Sequence, residues 1–146
     1  MTRVTFENIN KERVLDNIQK LIKQTIPGVP LFHNEHRGQE SFLIRPVSDT
    51  FVDYASNAHI RTYTTQISFE IHTGADFTKD KDIKRLTDVA ELLKRIFFDN
   101  RNLDASNSTE WYNGRVSDIS YERDADEGEI ERFIMLFECN VNEVVS

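Results

Sequence analysis

Cysteine is almost missing from this 146-residue chain, and the single Cys139 can form no internal bridge. A chain of this length buries roughly 68–70% of its unfolded surface, so it needs neither disulfides nor a structural metal to hold a core. Long apolar runs are also missing. The longest, Phe42-Leu43-Ile44 and Phe133-Ile134-Met135-Leu136-Phe137, fall far short of the ~20 residues that span a bilayer. The first residues, Met1-Thr2-Arg3-Val4-Thr5-Phe6-Glu7-Asn8, lack the apolar stretch of a secretory signal, which leads us to expect synthesis in a reducing cytoplasm. Basic charge is the minority sign: 18 Lys and Arg against 25 Asp and Glu leave a net charge of −7. That balance excludes a protein that grips nucleic acid with its whole surface, but not one that lets nucleic acid slide past. Glycines are few and isolated; Gly28, Gly38, Gly74, Gly114 and Gly128 build no phosphate cradle.

What is present is apolar periodicity. With 38% hydrophobic residues and ten Phe, the chain folds, and its length predicts one domain over 1–146. From Asn10 to Ile26, Val14, Leu15, Ile18, Leu21, Ile22 and Ile26 recur at helical spacing, with Asn10 as the expected N-cap and Pro27-Gly28 as the stop. Pro30 to Asn34 and Ser41 to Val47 read as a short hairpin, with Pro46 marking a sheet edge. Ala58 to Thr73 alternates: Tyr63, Thr65, Ile67, Phe69 and Ile71 define a buried face. Thr62, Thr64, Gln66, Ser68, Glu70 and His72 lie opposite, on a face so sparsely charged that we expect it to meet another surface.

A second helix follows from Ile83, Leu86, Val89, Ala90, Leu93, Ile96 and Phe97, capped around Lys79-Asp80-Lys81-Asp82 and ending near Asn100. Asp99 to Glu110 reads as a loop. Trp111 to Arg123, with a bulge at Gly114, and Ile130 to Val144 form a terminal hairpin whose tip gathers Asp124, Asp126, Glu127 and Glu129. The expected fold is α+β, a two-layer sandwich of two amphipathic helices on one face of a mixed, mainly antiparallel sheet of about five strands. Its uncovered face and its edges suit self-association.

No catalytic constellation assembles from the sequence. His33 and His36 flank a turn, and His59 and His72 fall on opposite strand faces, so no three-ligand metal site follows. Cys139 lies on the apolar parity of the last strand, where a thiol behaves as a small hydrophobe. Asp80 and Asp82 read as helix caps, and the tip acids lack a calcium-loop pattern. We expect no enzyme activity, no cofactor and no metal.

The helix ending at Pro27-Gly28, the strand Arg61 to Ile71, the helix around Asp88-Val89-Ala90-Glu91-Leu92-Leu93 and Trp111 opening the last hairpin together resemble the tail-terminator and tail-completion proteins of long-tailed bacteriophages. The resemblance covers most of the chain as a pattern of elements, without a diagnostic motif. It implies a structural virion protein of the head-tail neck, a ring, hexameric in that family, that caps the tail tube and meets the head connector or stopper. DNA would pass through the ring without specific binding. It further implies subunit contacts through Thr64, Gln66, Ser68 and Glu70, and an acidic tip at Asp124, Asp126, Glu127 and Glu129 that faces the lumen or the next ring. A small-ligand-binding or regulatory α+β module of cellular origin is the alternative expectation, and a cryptic hydrolase a third.

Overall fold

A computed structural model describes residues 6–56, 58–72, 79–105, 108–124 and 130–144. It is an α+β structure of two helical segments and a six-stranded mixed sheet. The first helical segment opens with a π-helical stretch, Asn10–Leu15, and continues as α1, Asp16–Thr25. Helix α2 spans Lys79–Asp99. The strands are β1 Leu31–Phe32, β2 Glu40–Ala55, β3 Ala58–His72, β4 Leu103–Ala105, β5 Ser108–Asp124 and β6 Ile130–Val144, ordered β1-β2-β3-β6-β5-β4 across the sheet.

Apolar periodicity decides which faces meet. Val14, Ile18 and Ile22 from the first helical segment and Leu86, Val89, Ala90, Leu93 and Phe97 from α2 share one core with Phe42, Ile44, Ile67, Phe69, Trp111 and the alternate β6 residues Phe133, Met135, Phe137, Cys139 and Val141. Phe97 stacks on Phe137 at 4.6 Å between ring centroids, and Trp111 meets the same ring edge-on. The Trp111 indole N–H donates to the Asn100 carbonyl at 2.9 Å, which ties β5 to the end of α2. Burial pushes the Cys139 thiol up to about 12, so it acts as a core hydrophobe.

Four expectations are corrected. Asn8, not Asn10, caps the first helical segment: its Oδ1 accepts from the Lys11 amide at 3.2 Å, and its carbonyl accepts from the Glu12 amide. The Asn10 Oδ1 is buried without a hydrogen-bond partner among the described residues. β1 and β2 form no hairpin. They pair in parallel, Leu31 with Phe42 and Phe32 with Leu43, because the seven residues between them cross back over the sheet rather than turning tightly. β2 also runs on to Ala55, well past Val47, and turns directly into β3, with Ala55 opposite Ala58. Finally, the segment read as a loop between Asp99 and Glu110 contains β4, paired antiparallel with the start of β5, so the sheet has six strands rather than about five.

Other expectations agree with the structure. Helix α1 stops before Pro27-Gly28, and β3 buries Tyr63, Thr65, Ile67, Phe69 and Ile71. A register shift between Tyr112 and Arg115 marks the bulge at Gly114. A β-carbon there would sit 3.0 Å from the Phe137 ring and 3.1 Å from the Arg101 carbonyl, so any side chain at this position has to push its neighbours aside. Pro46 lies where no described strand pairs with the outer edge of β2, since β1 covers only Phe42 and Leu43. The side chains of Lys79, Asp80 and Lys81 lie outside the described residues, and Asp82 is buried.

Length mismatch shapes what remains. A 15-residue strand such as β3 extends about 50 Å, whereas the 21 residues of α2 reach only about 31 Å. The helices cannot cover the full strands. In β2 the division is sharp: buried residues end at Ile44, and every residue from Arg45 to Ala55 is exposed.

Candidate functional site

The face of β3 opposite its core-facing residues carries the four residues expected at an interface. Thr64, Ser68 and Glu70 are buried within the chain itself, and Gln66 is half-buried. The loop from His33 to Gln39 explains part of this burial, because it lays His36 across the outer face. The His36 imidazole bonds the Ser41 hydroxyl at 2.7 Å through Nδ1 and the Ser68 hydroxyl at 2.8 Å through Nε2. Glu70 lies 2.7 Å from His72 Nε2, 3.3 Å from Arg132 Nε and 3.7 Å from His36 Nε2. Arg132 also reaches Glu122 on β5 at 3.5 Å.

These groups line an open cleft of about 400 Å³ with Leu43, Ile130 and Ile134. Burial holds the His36 imidazole below its ordinary 6.5, with partial opposition from the Glu70 carboxylate. Ser68, His36 and Glu70 do not form a nucleophilic triad. Both ring nitrogens are taken by serine hydroxyls, and Glu70 lies on the same nitrogen as Ser68 rather than on Nδ1, where an orienting acid would have to sit. Among the described residues, no three His, Cys, Asp or Glu side chains converge as metal ligands. His33 bonds Gln19, and His59 pairs with Glu143 at 2.7 Å, so the histidines are dispersed over three places.

The exposed arm built from the second half of β2 is the feature that the sequence reading missed. Val47, Phe51, Val52 and Tyr54 are all large apolar residues in solvent, Tyr54 at 78% exposure, and the Phe51 and Tyr54 rings touch at 4.9 Å. Two bulges, at Val47 and Val52, break the alternation that would have announced a strand. The usable signal was compositional: Thr50, Phe51, Val52 and Tyr54 are strand formers, and Ser56-Asn57 is a turn pair.

The arm also exposes backbone. From Ile44 to Ala55 no described strand pairs with the outer edge of β2, and from Arg115 onward none pairs with the outer edge of β5. Beside that second edge lies a groove of about 460 Å³ between α2 and β5, floored by Phe98 and Val116 and rimmed by Lys94, Arg95 and Arg115. Of the expected acidic tip, Asp124 closes β5, while Asp126, Glu127 and Glu129 lie outside the described residues. Compared with known protein families and with curated protein sequences, the chain matches none.

Proposed function

We propose that the chain is a structural subunit of a ring of the phage tail-terminator kind, with its two helices forming one layer over one face of the sheet. The observation that carries this reading is the pair of sheet edges, along β2 and along β5 toward the two ends of the strand order, that no described strand covers, one of them fringed by exposed Val47, Phe51, Val52 and Tyr54. Unpaired edges with apolar fringes are a liability in a monomer. Two different edges joined between copies make a head-to-tail contact, and such contacts form a ring where the rotation closes.

In this reading the ring, six copies as in the family it resembles, caps the tail tube and meets the head connector or stopper. DNA passes through the opening and is kept from adhering by the net charge of −7. The protein works by assembly and not by catalysis, without cofactor, in the neck of the virion. Electron microscopy of the purified chain, alone and mixed with tail tubes assembled without it, tests the proposal. Rings that cap one tube end are expected; a monomer that leaves the tubes uncapped overturns it.

A further inference from the structure

The two free edges match each other in direction, face and charge. β2 pairs antiparallel with β3, β3 with β6 and β6 with β5, so β2 and β5 run in opposite directions. Rotation about an axis along the strands preserves direction, and therefore brings β5 of one copy beside β2 of the next as an antiparallel pair. The sheet then continues from copy to copy with the same face toward the helices.

Charge selects the register. On the outer face, Glu70, Arg132 and Glu122 form a row across β3, β6 and β5 that alternates in sign and stops at the β5 edge. Glu138 and Arg115 form a second row, joined at 3.1 Å, that stops at the same edge. The next member of the first row must be a cation and that of the second an anion. β2 offers Arg45 and Asp53. Both are exposed and neither has an ion-pair partner among the described residues, while the Asp53 carboxylate accepts from the Tyr54 amide at 2.8 Å.

Their spacing fits. Arg45 lies opposite Gln66 and Asp53 opposite Ile60, six residues along β3, once the bulges at Val47 and Val52 are passed. Arg115 lies opposite Glu138 and Glu122 opposite Arg132, six residues along β6, once the bulge at Ser117 is passed. We propose that β2 of one copy adds to β5 of the next in the antiparallel register that sets Arg45 against Glu122 and Asp53 against Arg115.

The same register places Phe51 beside Val116, at the groove floored by Phe98, and Pro46 beside Tyr121, which is half exposed in the free chain. Pro46 offers no amide, so the ladder of main-chain bonds runs from Ser48 to Asp53. This interface rests on the ring reading and specifies which surfaces close the ring.

Disulfide mapping tests it. The register sets Thr50 opposite Asp118, both on the outer face. Thr50→Cys and a size-tagged Asp118→Cys are mixed and oxidised, with the wild type, whose Cys139 is buried, as the control. The mixed disulfide is expected to dominate over both homodimers by at least tenfold. In a second arm, Arg45→Glu and Glu122→Arg each weaken association about tenfold, and the double variant recovers it. Rings that form without the mixed disulfide, or with Thr50→Cys homodimers instead, overturn the interface and leave the ring standing. A wild type that stays monomeric and gives no cross-link overturns both.

Discussion

The two halves of β2 are one continuous strand in opposite environments. Glu40 to Ile44 pair with β3, Phe42 and Leu43 also with β1, and Phe42 and Ile44 lie in the core. Among the described strands, Arg45 to Ala55 pair only with β3, and every residue there is exposed. The first half is held by packing, the second mainly by its hydrogen-bond ladder to β3 and by β3's own pairing to β6. Residues that stabilise the fold therefore separate from residues available for assembly, and Phe42 and Phe51 do different work nine positions apart.

Substitutions can break that separation. The largest effect is expected at Glu70→Lys, which sets a cation beside Arg132 and His72 in a buried site. Disrupting a buried charge pair typically costs about 3–5 kcal/mol, and denaturant unfolding reads it. That loss would place Glu70, expected from the sequence at a subunit contact, among the residues that hold the chain's own fold. Gly114→Ala should cost about 1–3 kcal/mol, because the new methyl meets Phe137 and the Arg101 carbonyl at 3.0–3.1 Å.

A smaller effect is a pH dependence centred on His36. Its folded-state pKa lies below the ordinary 6.5, so below that value the unfolded chain takes the proton first. The stability present above pH 6.5 is then lost as pH falls through the window below it. His36→Gln should flatten the slope of melting temperature between pH 7 and 5. The smallest effect on stability is expected from Phe51→Ser with Tyr54→Ser, under about 0.5 kcal/mol per residue because both are already solvated, and this pair should have the largest effect on assembly.

The body was legible in the sequence because packing imposes a period. Val14, Ile18 and Ile22, the alternate residues of β3 and β6, and the stop at Pro27-Gly28 all declared themselves through spacing. The arm was not, because none of its residues is buried and its two bulges interrupt the alternation. The parallel pairing of β1 was illegible for a different reason. Two residues carry no strand period, and only tertiary contact decides their partner. On the polar face of β3, the His36 loop lies over Ser68 and approaches Glu70, a tertiary contact that no strand period announces.

Sedimentation velocity of the wild type beside Phe51→Ser/Tyr54→Ser, at matched concentration and with melting curves on the same samples, tests the division of labour most directly. A closed ring is expected for the wild type and a monomer of unchanged melting temperature for the variant. A wild type that remains monomeric at the highest attainable concentration, or a variant that still forms the ring, would contradict it.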